Sequence, residues 1–174
     1  MRFFPRFASL LAAALFSITC ARAQEVAGPF TQQQAVAGRT AFMANCTGCH
    51  GATMDGGGGG APALTGPNFQ EDWLNKTAGQ LFRFASTNMP LNMAGLLSRD
   101  TYIDLVSFIL AVNGAKPGAV AFTGDSDVRI GTIADGRTVA AVLYGEGPYA
   151  PPSFPAKAGP AKAGPAKRPA KKRR

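Results

Sequence analysis

Residues 46–50 read Cys-Thr-Gly-Cys-His, and this pentapeptide constrains the chain more than any other feature of its sequence. Two cysteines separated by two residues and followed at once by histidine are the pattern for covalent attachment of a c-type haem. Cys46 and Cys49 lie about one helical turn apart, so both sulfurs can reach the two vinyl groups on one edge of a porphyrin. The motif therefore predicts one covalently bound haem c, with His50 beneath the ring as an axial ligand of the iron.

The N-terminus has the pattern of an export signal. Residues 1–23 begin with basic side chains, continue with an apolar run over 7–18 and end with a small-x-small cleavage site at Ala21-Arg22-Ala23. We expect cleavage after Ala23 and a mature chain in the periplasm, with an uncleaved N-terminal anchor as the alternative. Cys20 suggests a lipoprotein, but the residues around it suit lipidation poorly, so it should leave with the signal.

The cysteine pair has two other interpretations, a disulfide or thioredoxin-like redox pair and a zinc site. A redox pair normally follows a strand in a βαβ unit, and no such pattern precedes Cys46. A zinc site needs four ligands, whereas the mature sequence has two cysteines and one histidine. Both interpretations lack partners, so the sequence favours haem attachment.

The net charge of +8 is concentrated at the C-terminus. Residues 25–150 carry seven basic and ten acidic groups, while residues 151–174 carry eight basic groups and no acidic one. The basic character therefore belongs to the tail, and it does not predict nucleic-acid binding. Residues 155–174 are a near-repeat with nothing to bury, which predicts a disordered basic tail. This tail either binds an anionic membrane surface or acidic partner, or is solvated without a specific role.

Capping signals and apolar periodicity predict a small all-α domain over residues 30–114. Three helix starts carry a capping signal: Thr31 with Gln34, Thr77 with Gln80, and Ser98. The last helix should end at Asn113-Gly114. A domain of about 85 residues is marginal for a self-sufficient apolar core, so we expect the haem to supply the missing apolar surface.

Two stretches lack helical periodicity. Residues 51–66 are rich in glycine, and we expect an irregular loop there, without the Lys-Ser/Thr of a phosphate-binding loop. Further along the chain, residues 128–133 and 138–143 fit the two strands of a small hairpin. A linker is the alternative for 115–154, because two strands alone are marginal unless they dock on the domain.

The helices and the haem motif together resemble the class I cytochrome c family over residues 30–114. The pattern Gly38-x-x-x-Phe42-x-x-x-Cys46 reproduces that family's N-terminal helix, in which a glycine permits close crossing by the C-terminal helix. Leu105 and Phe108 match the partner positions on that second helix. The resemblance implies a class I cytochrome c fold wrapped around one haem, followed here by an irregular C-terminal extension.

A narrower resemblance is to the small mono-haem cytochromes associated with quinoprotein alcohol dehydrogenases. It rests on Phe69…Trp73, on Thr-Ala-Gly-Gln-Leu-Phe from Thr77, on Asn88-Met-Pro and on the ending Tyr-x-x-x-Val-x-x-Ile-Leu-x-x-Asn-Gly. It implies an electron carrier, or the electron-transfer subunit of a dehydrogenase complex, that is not itself an enzyme. Its partners would be a dehydrogenase donor and an oxidase or cytochrome acceptor of the respiratory chain.

Three methionines after the motif are candidates for the sixth iron ligand. Met54 is only four residues past His50, on the same side of the ring. Met89 follows a helix end and precedes Pro90, and the family places its ligand in such a Met-Pro pair. Met93 is the second choice, and a methionine that only packs the core is a further interpretation. If no protein group fills the sixth site, the alternative function is a haem enzyme or ligand sensor.

Further residues should support the haem. In the family, the ligating histidine donates its other N–H to the carbonyl of a proline ahead of a leucine, which matches Pro62 and Leu64. Trp73, the only tryptophan, either bonds a haem propionate through its N–H or is an ordinary core aromatic. The predicted cofactor-binding residues are Cys46, Cys49, His50, Pro62, Leu64, Trp73 and Met89, of which His50 and Met89 bind the metal.

Overall fold

A computed structural model of the protein describes residues 26–57 and 60–152. The predicted signal peptide over 1–23 and the predicted basic tail over 155–174 lie outside these residues. The described residues form α-helices, short 3₁₀ turns and isolated β-bridges, with no strand of a β-sheet among them. The predicted all-α fold is therefore confirmed. Within the same residues, no helix combines the length and the apolar character needed to span a bilayer.

Six α-helices follow one another along the described chain. They are α1 (Gln32–Asn45), α2 (Thr47–His50), α3 (Gly66–Trp73), α4 (Ala78–Asn88), α5 (Arg99–Val112) and α6 (Ala140–Tyr144). The two 3₁₀ turns are Ile130–Thr132 and Gly147–Tyr149. Thr31 and Thr77 form complete capping boxes, and the side chain of Ser98 accepts from a backbone N–H of α5. The predicted capping residues thus fix the starts of α1, α4 and α5.

Helices α1 and α5 cross closely and form the centre of the fold. A Cβ atom on Gly38 would lie 1.8 Å from the carbonyl oxygen of Asp104 and 2.8 Å from the Cβ of Phe108. Beside this point the fully buried rings of Phe42 and Phe108 pack with centroids 5.6 Å apart. The close crossing predicted at Gly38 is therefore confirmed, and Phe108 is among its contacts.

Replacing Gly38 with alanine should lower the free energy of unfolding by about 3 kcal/mol, because the added methyl group overlaps the backbone of α5 and forces the helices apart. Gly48→Ala is a matched control, since a Cβ at Gly48 has no atom of the described chain within 4 Å. Denaturant unfolding followed by circular dichroism measures both variants. Equal stabilities would contradict the close crossing.

Residues 115–152, here called the strap, wrap around the helices. The hairpin prediction is wrong: the region of 128–133 contains a 3₁₀ turn, and that of 138–143 enters helix α6. The linker interpretation is wrong for this segment too, because Phe122, Ile130, Val142 and Leu143 join the hydrophobic core. The strap's apolar residues pack in the same core as those of the other helices, so they do not need a partner strand.

The strap also satisfies backbone groups at helix ends. The N–H of Ala78, in the first turn of α4, donates to the carbonyl of Val128 at 3.0 Å. The carbonyl of Val112, at the end of α5, accepts from the N–H of Val139 at 2.7 Å. Such terminal groups have no partner inside their own helix. The strap is therefore an integral part of the domain.

Candidate haem-binding site

The Cys-Thr-Gly-Cys-His motif lies at the junction of α1 and α2. The N–H of Cys46 donates to the carbonyl of Phe42 at 2.9 Å, so this cysteine ends α1 and caps α2. The N–H groups of Cys49 and His50 donate to the carbonyl of Cys46 at 3.2 and 3.0 Å. The motif is thus folded into one helical turn. This turn separates Cys46 and Cys49 by about one helical repeat, as the pattern for haem attachment requires. Both cysteines are free.

The two thiols differ in environment. Cys49 is exposed and Cys46 is half-buried. Burial, and to a smaller extent the charge of Cys49, raises the pKa of the Cys46 thiol to about 11. Redox-active cysteine pairs instead hold a thiol with a lowered pKa. Burial therefore makes Cys46 a poor candidate for the reactive thiolate of such a pair.

His50 is held in a defined orientation by the loop that follows it. Its side chain is buried, and Nδ1 lies 3.0 Å from the carbonyl oxygen of Pro62. With Nδ1–H donating to this carbonyl, the lone pair of Nε2 is available to a metal. This contact is the one that the family pattern predicts. The role of His50 as an iron ligand stays a prediction.

The glycine-rich loop is irregular over its described residues 51–57 and 60–65, and two of its glycines cover the end of α2. The N–H of Gly56 donates to the carbonyl of His50, and that of Gly57 to the carbonyl of Cys49, both at 3.1 Å. Gly56 has a φ of +82°, and a Cβ on Gly57 would lie 3.0 Å from the N of Gly51. Larger residues would not allow this approach. These two glycines therefore fold the loop back onto the haem motif.

Leu64 anchors the same loop to the rest of the domain. Its N–H donates to the carbonyl of Met54, and its carbonyl accepts from Nδ2 of Asn113, both at 2.8 Å. Met54 is fully buried and packs in the hydrophobic core. Asn113 is also fully buried, and its Oδ1 has no hydrogen-bond partner in the described part of the chain. The loop that carries Pro62 is thus tied to the end of α5.

Met89 lies at the turn that ends α4. Its N–H donates to the carbonyl of Ala85 at 3.0 Å, and its carbonyl accepts from the hydroxyl of Tyr102 at 2.5 Å. The peptide bond between Met89 and Pro90 is cis. Met93 lies farther along this loop, with a side chain that is 55% exposed. The structure thus restrains the backbone of Met89 on both sides.

The loop around Met89 exposes an unusual amount of apolar surface. Residues 84–98 include no charged side chain. Four of their large apolar side chains are exposed: Phe84, Leu91, Met93 and Leu96. A soluble domain rarely leaves such neighbouring groups uncovered without a ligand or partner. This surface, the free thiols and the histidine held through Nδ1 together fit a covalently bound haem.

Trp73 lies at the edge of this surface. It is half-buried at the end of α3, and its ring meets that of Phe84 edge-to-face, with centroids 5.3 Å apart. The ammonium of Lys76 lies 4.4 Å from the centre of the Trp73 ring. The side chain packs against the core without being enclosed by it. Its predicted contact with a propionate stays a prediction.

Hydrogen bonds gather the haem motif, Pro62 and Leu64 into one cluster, whereas Met89 follows α4 and Trp73 ends α3. Helix α5 connects the cluster to Met89, because Tyr102 in its first turns bonds Met89 and Asn113 at its end bonds Leu64. Asn113 was predicted from the sequence as the stop of the last helix, and Tyr102 entered only as part of the family-like ending of that helix. The signal that could have identified them is a hydroxyl and an amide at positions that are buried in and after α5, where polar groups need a partner.

Comparisons with known proteins agree with this site. Residues 33–109 match the sequence model of the family described as cytochrome c oxidase, cbb3-type, subunit III. This is a family of c-type cytochromes, so the resemblance of this part of the chain to c-type cytochromes is confirmed. The family implies a covalently bound haem c and a function in electron transfer.

The other comparisons add little. The comparison with curated proteins finds no match. Among solved structures, the chain is similar to one titled "Crystal Structure of the Sulfane Dehydrogenase SoxCD from Paracoccus pantotrophus", with 19% identity and a TM-score of 0.37. The match covers 70% of this chain and 63% of that one. A TM-score this low supports no conclusion about the fold or function.

Proposed function

We propose that this protein is a periplasmic mono-haem c-type cytochrome that carries single electrons from a dehydrogenase towards the respiratory chain. The observation that carries the proposal is the contact between His50 Nδ1 and the carbonyl of Pro62, beside two thiols one helical turn apart. A haem bound there would supply an iron centre that exchanges one electron at a time.

Each predicted residue has a separate task in this function. Cys46 and Cys49 hold the cofactor covalently, and the carbonyl of Pro62 fixes the tautomer and orientation of His50. Met89 is proposed as the second axial ligand. When both axial positions are filled by side chains, neither oxygen nor a substrate reaches the iron, which leaves electron transfer as its chemistry. The exposed apolar surface around Met89 would be covered by the cofactor.

The proposed partners rest on sequence and on the family. The narrower resemblance supports a quinoprotein alcohol dehydrogenase as the electron donor. The matched family is described as a subunit of a cytochrome oxidase, which supports an oxidase or a cytochrome as the acceptor. The eight basic groups of residues 151–174 would hold the carrier near anionic lipid or an acidic partner surface.

Mass spectrometry tests the attachment of the cofactor. We expect periplasmic protein to have the mass of a chain starting near Gln24 plus one haem, and peptides containing Cys46 and Cys49 to carry that haem. Cys46→Ala with Cys49→Ala should yield protein without a covalent cofactor. An unmodified wild-type mass with a Cys46–Cys49 disulfide would refute the proposal.

Reduction by a partner tests the direction of electron flow. A purified quinoprotein alcohol dehydrogenase and its alcohol should reduce the ferric protein rapidly, as followed by its visible absorption bands. Carbon monoxide should leave the reduced spectrum unchanged, because His50 and Met89 would both hold the iron. Rapid binding of carbon monoxide would instead support the enzyme or sensor function.

A further inference from the structure

A buried hydroxyl group connects helix α5 to the turn that presents Met89. Tyr102 is 3% exposed, and its hydroxyl donates to the carbonyl of Met89 at 2.5 Å. The N–H of Met89 is held in turn by the carbonyl of Ala85. We propose that Tyr102 is a positioning residue that selects Met89, and not Met93, as the methionine presented to the iron. This inference rests on the proposed function, because it concerns the second axial ligand.

The hydroxyl of Tyr102 has a specific partner. The carbonyl of Met89 directly follows the last turn of α4, where carbonyl groups lack the donors of a continuing helix. A buried phenolic hydroxyl likewise needs a partner, because leaving it unpaired costs free energy. Phenylalanine would fill the core equally well but would leave this carbonyl without its donor. The hydrogen bond therefore fixes the turn relative to α5.

Among the residues that the structure describes, Met93 has no comparable hydrogen bond to a helix. Its N–H donates to the carbonyl of Pro90 at 2.9 Å, and its carbonyl accepts from the N–H of Leu96 at 3.1 Å. Both bonds stay within the loop, so they do not fix the loop relative to α5. Ligation by Met93 would have to order this exposed segment, at a cost in conformational entropy. The backbone of Met89 is already ordered by its two hydrogen bonds.

The selection is tested by competition with imidazole on the haem-loaded ferric protein. Imidazole must displace the methionine to bind the iron, so its affinity reports how firmly the methionine is held. In Tyr102→Phe we expect this affinity to rise about five- to tenfold, the effect of losing one hydrogen bond. The matched control is Tyr144→Phe, at a side chain that is 55% exposed, and it should not change the affinity.

Two further measurements separate positioning from general stability. A Tyr102 with a merely structural role would lower the denaturant midpoint but leave the imidazole affinity unchanged. In Tyr102→Phe the near-infrared band of thioether ligation should weaken. Met93 would replace Met89 as the ligand in a fraction of these molecules, and adding Met93→Ala should remove their part of the band. Substitution of p-aminophenylalanine at position 102 retains a donor and should restore the wild-type affinity.

The outcomes distinguish this inference from the proposed function. A wild-type protein without the near-infrared band would overturn both. A wild-type band, with equal imidazole affinities in Tyr102→Phe and Tyr144→Phe, would overturn the inference alone. If Tyr102→Phe does not accumulate with haem, 4-methylphenylalanine at position 102 fills the same volume without a donor. The same rise in imidazole affinity is then expected, and its absence overturns the inference.

Discussion

Replacing Met89 with alanine should abolish the near-infrared thioether-to-ferric-iron band of the loaded protein. We expect the reduction potential to fall by on the order of 0.1–0.2 V, a part of the range of about 0.8 V that axial ligands span. Methionine favours reduced iron, and without it the sixth position passes to water or to another weak ligand. Absorption spectroscopy and a redox titration measure the two effects.

Met93→Ala is the matched control for this experiment. Met93 lies four residues farther along the same loop, with its side chain exposed, so its removal should change neither the band nor the potential. If the effects of the two variants are exchanged, Met93 is the ligand. If neither variant has an effect, the sixth ligand is not a methionine, and the enzyme or sensor function gains support.

Truncation after Gly114 should abolish cooperative folding, because it removes the strap. Four large side chains of the strap are buried: Phe122, Ile130, Val142 and Leu143. At about 2 kcal/mol for each, their loss removes about 8 kcal/mol, which is comparable with the whole stability of a domain. The truncation also breaks the paired bonds of Gln34, whose side-chain amide donates to and accepts from the backbone of Phe122 at 2.9 Å. Denaturant unfolding and circular dichroism measure the loss.

Truncation after Pro152 is the control, since it removes residues 153–174, which contain the predicted basic tail, and keeps the strap. This variant should incorporate haem and unfold like the full chain. It should bind anionic vesicles more weakly, with a flatter dependence on salt, because screening over a Debye length of about 8 Å weakens such contacts. A stable, cooperative protein ending at Gly114 would contradict an integral strap. Unchanged vesicle binding after truncation at Pro152 would remove the proposed role of the tail.

Local patterns were sufficient to predict the starts of helices α1, α4 and α5 and the helical turn of the Cys-Thr-Gly-Cys-His motif. Capping boxes depend on residues three apart, and the haem motif is a single helical turn, so the chain near Thr31, Thr77 and Cys46 specifies them without distant partners. The close contact at Gly38 was predicted from the family pattern, in which a residue without a side chain permits the helices to cross closely. The hydrogen bond between His50 and Pro62 required the family pattern as well, since a glycine-rich loop separates the two residues.

Only the tertiary structure decided the path of residues 115–152 and the connections of α5. The apolar stretches of the strap are short, so their pattern fits a strand as well as an irregular segment that buries single side chains. Which of the two forms depends on helix ends that are far away in the sequence. The roles of Tyr102 and Asn113 were hidden for the same reason. The structural effect of a hydroxyl or amide depends on the carbonyl to which it donates a hydrogen bond. The carbonyls of Met89 and Leu64 come near α5 only once the chain has folded. The sequence by itself determined the chemistry of the haem motif, whereas long-range packing determined what holds its surrounding loops in place.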